Sequence, residues 1–282
     1  MVYLPIIGAF LEAVGTILEK KLLKHKKIDY RNYTVYGFLA IVLVLLPIIY
    51  FFQDVEEEAF FLKNILIFLL VIFMSILANV LFFYSLKKVK IIEFEPIRLM
   101  QPLFTILLAV IVYKSERNWT IVLLAIIASI FLVVSHLKKH HLAINKYTIS
   151  VYLSSLFFAV ELVASKTIIQ YYNPFFFYFL RCFFIFLFSF LIFKPSFSIL
   201  AKDKKIGVMT LIIAAIWVVY RAIIYYGYGV YGVVVTTLLF ILAPVFLVIL
   251  AVFFLHEKPS LKQIISIIIM IACVAAAIIL NH

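Results

Sequence analysis

Long apolar runs alternate with short polar connectors along the whole sequence. A helix needs about 20 mostly apolar residues to cross the hydrocarbon core of a bilayer. The runs have this length, and they lack the alternation of apolar and polar positions that is typical of outer-membrane strands. They predict transmembrane helices at residues 3–23, 34–52, 62–86, 91–113, 119–136, 147–170, 175–193, 206–228, 231–255 and 260–280.

The composition agrees with this pattern. Of the 282 residues, 67% are hydrophobic and 13% are charged, and the mean hydropathy is +1.21, outside the range of water-soluble domains. The run that begins at Tyr3 has no basic segment before it and is interpreted as the first span, not as a removable signal peptide. Cys182 and Cys273 lie inside apolar runs and are expected to be buried thiols. The predicted fold class is an all-α, multi-pass protein of the cell membrane.

The basic residues are distributed unequally between the connectors. Connectors after odd-numbered helices contain Lys20, Lys21, Lys24, Lys26, Lys27, Arg31, Lys87, Lys88, Lys90, Lys138, Lys139, Lys146, Lys194, Lys202, Lys204, Lys205, Lys258 and Lys262. Connectors after even-numbered helices and the two termini contain Lys63, Lys114 and Arg117. The positive-inside rule therefore predicts cytoplasmic odd-numbered connectors and both termini outside. The net charge of +12 is attributed to this orientation and to anionic lipid headgroups, and no nucleic acid partner is expected.

The two halves of the sequence resemble each other. The segment that starts at Pro102, PLFTILLAV, aligns with PVFLVILAV from Pro244, and Glu12 aligns with Glu161. This predicts a five-helix repeat at 1–136, a basic connector at 137–146 and a second repeat at 147–282. Five is an odd number, so the second repeat enters the membrane in the opposite sense. Inverted repeats are typical of alternating-access transporters, with a substrate site near the midplane.

These features resemble the drug/metabolite transporter superfamily in its ten-helix form with two EamA-type repeats. The resemblance rests on the proline helix that runs into a short polar turn in each half, from Pro102 to Ser115-Glu116-Arg117 and from Pro244 to His256-Glu257-Lys258. Arg181 also matches an Arg that such repeats often place early in their second helix. The resemblance covers nearly the whole chain and implies transport of a small solute. It also implies cytoplasmic termini, the opposite of the orientation that the basic residues predict.

The first helix has a second, narrower resemblance. Its segment GAFLEAVGTILEK, from Gly8 to Lys20, is similar to the first helix of the small multidrug resistance proteins. The matching Glu of those proteins binds protons and cationic substrate in turn, which implies a proton-binding role for Glu12. The chain departs from that family in its length and in carrying Arg181 and Arg221 in the membrane. Only the role of the carboxylate therefore carries over.

Ionisable residues inside the spans are candidate site residues because charge at membrane depth is costly. Glu12 and Glu161 are candidates for proton coupling or substrate binding. The structural alternative for both is a permanently protonated carboxyl or one locked in an ion pair, with Lys166 or Arg181 as the available cations. The candidates for binding a substrate carboxylate or phosphate are Arg98, Arg181 and Arg221. Their structural alternatives are a bond from Arg98 to Glu95 or to backbone, and snorkelling of Arg181 from the end of its helix.

Some uncharged polar residues are weaker candidates. Asn79 and Gln101 are expected to line the same cavity or to bridge helices by hydrogen bonds. Tyr225 is a candidate for an aromatic cavity wall, although tyrosines near helix ends are more often interfacial anchors. The sequence from Tyr226 to Gly232 resembles a potassium filter but is interpreted as a tight turn, because a filter needs four copies around one axis. Glu116 and Glu257 are interpreted as loop-fixing groups.

Nothing in the sequence indicates an enzyme. It has no paired nucleophile and base and no phosphate-binding glycine loop. His136, His140 and His141 lie in a Lys-rich connector, so neither a metal nor a cofactor is expected.

The sequence therefore predicts a secondary transporter that acts as a monomer or homodimer. Its expected substrate is an amino acid or related metabolite, and proton-coupled export is one form that this transport could take. The alternative is a flippase or transporter of a polyprenyl-linked or other anionic lipid, or of a phosphorylated metabolite. A lipid site should open sideways between helices.

Overall fold

The computed structural model describes residues 3–25, 28–88, 94, 97–98, 100–136, 145–197, 203–243, 245–246 and 261–280. Within these ranges the regular structure is helical, apart from an isolated bridge between Val55 and Tyr172. The α-helices are α1 (Tyr3–Leu23), α2 (Tyr30–Ile49), α3 (Leu62–Lys88), α4 (Met100–Val112), α5 (Trp119–His136), α6 (Lys146–Ile168), α7 (Pro174–Phe193), α8 (Lys204–Val230), α9 (Gly232–Phe240) and α10 (Leu261–Leu280). Short 3-10 helices lie at Glu57–Phe60, Lys114–Glu116 and Ile169–Tyr171. The predicted all-helical class is confirmed.

Five of these segments are long and apolar enough to cross a membrane, judged by length and composition. They are α2, α3, α6 with the 3-10 turn that follows it, α7 and α8. Large apolar side chains are exposed on their outer faces, including Leu66, Phe73 and Ile192, as expected for surfaces that contact lipid. The chain is therefore a multi-pass membrane protein. Ten spans remain a prediction, because the predicted runs 91–113 and 231–255 lie partly outside the described residues.

Several helix ends follow from local sequence. Asn145 caps α6 by accepting the backbone N–H groups of Tyr147 and Thr148 at 2.9 and 3.1 Å, and the Thr148 hydroxyl accepts the Asn145 N–H at 3.0 Å. Asn173 caps α7 in the same way, and Pro174 occupies its first turn, where a missing N–H costs nothing. Helix α2 begins at Tyr30 rather than at 34, since its polar first turn extends beyond the apolar run that marked it.

Each helix packs on one from the other half of the chain. The pairs between the halves include α3 with α6, α1 with α8, α2 with α7, α5 with α10, α4 with α6, α1 with α9, α2 with α8, α3 with α7 and α4 with α9. If each helix is replaced by its counterpart in the other half, α1 by α6, α2 by α7 and so on to α5 by α10, the same set of pairs results. The pairing is consistent with the predicted repeat, which stays a prediction. Its proposed symmetry mates are Pro102 and Pro244, and Pro244 lies outside the described residues.

Several hydroxyl groups inside the helices bond to their own helix. The side chains of Thr34, Ser85, Thr105, Ser129 and Thr210 each donate to the carbonyl four residues earlier. A polar group that faces an apolar environment without a partner costs free energy, and this back-bonding removes the cost without a partner helix. These hydroxyls are therefore unavailable as donors to neighbouring helices or to a bound solute.

The connector between α4 and α5 is fixed to the start of α9. The carboxylate of Glu116 accepts the backbone N–H groups of Val233 at 2.7 Å and Val234 at 3.1 Å, as an anion at a helix N-terminus does. This confirms the loop-fixing interpretation of Glu116, while Glu257 lies outside the described residues.

The predicted turn at 226–232 is shorter than expected. Helix α8 continues to Val230, and the chain reverses only at Tyr231 and Gly232, where φ is +80°.

We expect Gly232→Ala to destabilise the protein. A side chain at this positive φ is strained by roughly 1 kcal/mol or more, and its Cβ would lie 2.5 Å from a Glu116 carboxylate oxygen. The melting temperature in detergent should fall. The matched control is Gly229→Ala in the last turns of α8, where a Cβ has nothing within 4 Å and helix propensity favours Ala. Equal melting temperatures for the two variants would contradict this account.

Candidate functional site

A cavity of about 790 Å³, including its part open to solvent, lies inside the helix bundle. We call it the first cavity. Its polar and charged lining residues are Glu12, Glu19, Asn79, Arg98, Gln101, Arg181 and Arg221. Its walls are largely aromatic, from Tyr33, Phe82, Phe83, Phe158, Tyr178, Trp217 and Tyr220. Most of the site residues predicted from sequence are thus brought together in one space, although they come from helices far apart along the chain.

Glu12 and Arg98 form an ion pair. A terminal nitrogen of Arg98 lies 2.5 Å from a carboxylate oxygen of Glu12, and the two side chains are 11% and 17% exposed. The Arg98 guanidinium also lies 5.7 Å from the centre of the Phe82 ring, within cation–π range. The Tyr220 hydroxyl hydrogen-bonds to Glu12. Glu12 is therefore a partner of Arg98 that the sequence did not predict, and Glu95 lies outside the described residues.

This ion pair lies between two cavities. A second cavity, of about 600 Å³ on the same measure, shares Glu12, Arg98, Gln101 and Tyr220 with the first. The first cavity also touches Gly37 and Thr210, early in α2 and α8, and the second touches Leu162 and Tyr228, late in α6 and α8. The first cavity thus extends towards the basic end of the bundle, where α1, α3 and α7 end. The second extends towards the opposite end.

Glu161 is the centre of a buried network. One of its oxygens lies 3.2 Å from Nε of Arg181, and the other lies 3.4 Å from a terminal nitrogen of Arg221. The Ser165 hydroxyl donates to Glu161 at 3.2 Å, and Arg181 Nε donates to the Ser75 hydroxyl at 2.8 Å. The Glu161 and Arg181 side chains are 0% and 1% exposed. The alternative in which Arg181 snorkels to the membrane surface is therefore wrong, because its guanidinium is held inside by Glu161.

This network carries more positive than negative charge. Two guanidinium groups share one carboxylate, and Lys166 contributes nothing to it because its ammonium donates to the Tyr228 carbonyl. Both Arg181 and Arg221 also line the first cavity. A surplus guanidinium charge in a partly buried cavity attracts an anion, and the planar donor fork suits a carboxylate or phosphate.

The uncharged candidates divide between wall and core. Asn79 lines the first cavity and donates through its amide to the Ser75 carbonyl at 2.8 Å. Gln101 lines both cavities. Tyr225 does not belong to either set of lining residues. It is 1% exposed and packs beneath the Arg221 guanidinium, 5.8 Å from the centre of its ring. Its position suits a role in supporting Arg221 and not one as a cavity wall.

Glu19 is a buried carboxylate that the sequence reasoning missed. It lines the first cavity and is 4% exposed. One of its oxygens accepts the Tyr33 hydroxyl at 3.2 Å and the Trp217 indole N–H at 3.0 Å. A signal for it was available. Glu19 follows Glu12 by seven residues, which is two helical turns and places both on one face of α1.

The fold and the cavity define a class of protein, a multi-pass membrane protein whose helices enclose a charged internal cavity. The sequence model of the EamA-like transporter family matches residues 1–135 and 145–279. The chain belongs to this family, which confirms the resemblance to EamA-type repeats, and it is accordingly a membrane transporter of small solutes. No curated protein matches the sequence significantly.

Solved structures share the fold. One match, described only as a crystal structure of a protein, is 15% identical in sequence, with a TM-score of 0.73 over 99% of this chain and 96% of that chain. At this level of identity the likeness establishes the arrangement of the helices and nothing about the solute.

We expect Glu161→Gln to be strongly destabilising. It leaves two buried guanidinium groups without their shared counter-ion, and breaking a buried ion pair costs about 3–5 kcal/mol. Adding Arg181→Gln should recover part of the loss, so that the double variant melts above the temperature expected if the two effects were additive. Melting in detergent measures this cycle. Glu57→Gln, an exposed change of the same kind, is the control, and additive effects of the two buried changes would argue against the network.

Proposed function

We propose that this protein is a secondary transporter of the cell membrane that moves an amino acid or related metabolite by alternating access. The main support for this proposal is the surplus guanidinium charge of Arg181 and Arg221 on the wall of the first cavity. In this proposal the substrate carboxylate is bound by Arg221, whose side chain is 12% exposed, while Arg181 stays with Glu161. Neutral and aromatic walls then accommodate the rest of the solute.

Alternating access is supported by the position of the Glu12–Arg98 pair between two cavities that extend to opposite ends of the bundle. The inverted repeat, proposed from sequence and supported by the exchange symmetry of the helix pairs, provides two equivalent halves that can rock about such a site. In the proposed cycle, the pair and the Tyr220 hydroxyl separate the substrate from the second cavity until the halves move.

Contacts at the end opposite the basic end favour a closed state there. The Tyr113 hydroxyl contacts the Val163 carbonyl at 2.6 Å and the Thr167 hydroxyl at 2.7 Å. Glu116 ties the same connector to α9. We infer that access is from the basic end in this conformation, which the positive-inside rule assigns to the cytoplasm. Substrate loading from the cytoplasm is the direction that an exporter requires.

Arg221→Gln should weaken transport of carboxylate-bearing solutes. Loss of one charge-assisted hydrogen bond is worth about 1.5–3 kcal/mol, so we expect KM to rise roughly tenfold to a hundredfold. Counterflow in liposomes, with a panel of amino acids, quaternary amines, sugar phosphates and nucleotides, measures this effect. Arg31→Gln, an exposed change of the same kind at the start of α2, is the matched control.

The same panel tests the proposed substrate class. Uptake of sugar phosphates or nucleotides without amino acids would favour the anionic-metabolite alternative, and lipid scrambling without solute counterflow would favour the flippase. Unchanged KM values for every transported solute in Arg221→Gln would remove Arg221 from the binding site.

We propose Glu12 as the proton-linked carboxylate. Protonation would remove the charge that holds Arg98, so proton binding and separation of the pair would be coupled. Glu12→Gln should abolish proton-driven accumulation while leaving exchange of substrate for substrate. The measurement is uptake with and without a pH gradient, and Glu57→Gln is again the control. If the Gln variant accumulates substrate at the normal rate with unchanged pH dependence, Glu12 is not the coupling residue.

A further inference from the structure

The two carboxylate oxygens of Glu19 have very different hydrogen bonding. One carboxylate oxygen accepts two donors, the Tyr33 hydroxyl and the Trp217 indole. The other oxygen, Oε2, is buried and has no hydrogen-bond partner among the described residues. The part of the chain that the structure describes also provides no salt bridge to Glu19. A buried carboxylate with one unsatisfied oxygen is costly, so the missing partner is the feature that needs an explanation.

The two donors fix the direction of the carboxylate. Tyr33 comes from α2 and Trp217 from α8, and each ring is held by a further edge-to-face contact, Tyr33 with Phe83 at 4.9 Å and Trp217 with Tyr220 at 5.0 Å between ring centres. A side chain clamped from two helices cannot rotate to find another donor without breaking both bonds. The unsatisfied oxygen is thus an acceptor held in a fixed direction beside the first cavity.

The chemistry of these surroundings favours an ammonium group over a metal ion. Sodium and calcium ions need several oxygen ligands, with calcium taking six to eight, whereas the neighbours of Glu19 in the cavity are mainly aromatic rings. A carboxylate beside the faces and edges of Trp and Tyr rings is the arrangement that binds organic ammonium groups, by a charge-assisted hydrogen bond and cation–π attraction.

We propose that Glu19 binds the ammonium group of the transported solute. This inference rests on the proposed function, in which Arg221 binds the carboxylate of the same solute from another part of the first cavity. The cavity would then recognise both ends of a zwitterion with two groups of opposite sign, and phosphorylated or lipid-linked anions without an amine would lack one anchor. Glu12, about 10 Å away along the axis of α1, stays paired with Arg98 and is not the ammonium site.

Binding at Glu19 requires a local movement. In this conformation Oε2 is closed off from solvent, so an ammonium group reaches it only when the surrounding rings shift. Trp217 is one of those rings and donates to the same carboxylate. The sequence contains only two tryptophans, and the other, Trp119, is 68% exposed at the start of α5. The fluorescence of Trp217 in a Trp119→Phe background therefore reports directly on the proposed site.

The test is a titration of the purified Trp119→Phe protein with n-butylammonium, n-butanol and butyrate. We expect a saturable change in Trp217 emission with butylammonium and none with the isosteric alcohol. Glu19→Gln should weaken the butylammonium response at least tenfold, and Glu19→Asp should retain part of it. Glu58→Gln, which changes an exposed carboxylate, should leave it unchanged.

Two outcomes would overturn the proposal. One is the absence of a saturable butylammonium response in the Trp119→Phe protein, and the other is an undiminished response in Glu19→Gln. The test is separable from that of the proposed function, because Arg221→Gln should keep the butylammonium response while losing competition by butyrate in counterflow. If Arg221→Gln leaves counterflow unchanged while Glu19→Gln still weakens the butylammonium response, the protein has an ammonium site but transports something other than a carboxylate.

Discussion

The cost of placing charge at membrane depth determines how this bundle is assembled. Glu161 has no access to solvent and is stabilised only because Arg181 and Arg221 reach it from α7 and α8. An unpaired ion in this environment would cost several kcal/mol, which is comparable to the whole stability of many domains. The helices that carry these three residues must therefore lie together, and the first cavity forms where their guanidinium groups meet α1, α2 and α3.

A second constraint operates on the uncharged polar groups. Most buried hydroxyls bond to their own helix, as Thr210 does to Ile206, and so do not compete for the cavity. Around Glu19 the pattern differs, because Tyr33 and Trp217 use their donors on a carboxylate from another helix. Sites of binding in membrane proteins are expected where polar groups depart from local satisfaction in this way.

Much of the fold could be predicted from sequence because length and apolarity alone determine a spanning helix. The bounds predicted for α5, α7 and α10 agree with the structure within one residue. The partners of the charges could not be predicted in the same way. Glu12 and Arg98 are separated by 86 positions, and pairing across that distance depends on packing that periodicity does not encode. Glu19 was missed because its neighbour Lys20 made it resemble the polar end of a helix, although its spacing from Glu12 indicated the same face.

The ion pairs also affect the free energy of moving one half of the chain relative to the other. Glu12 and Arg98 both belong to the first half of the chain, and Glu161, Arg181 and Arg221 all belong to the second. The described contacts between the halves use a neutral group on at least one side, such as Tyr113 with Thr167 and Trp217 with Glu19. Sliding one half against the other would then exchange hydrogen bonds of about 1–3 kcal/mol each without separating a cation from its counter-ion. Each half keeps its own ion pairs intact, as two parts that must move past each other in a medium of low dielectric constant would need to do.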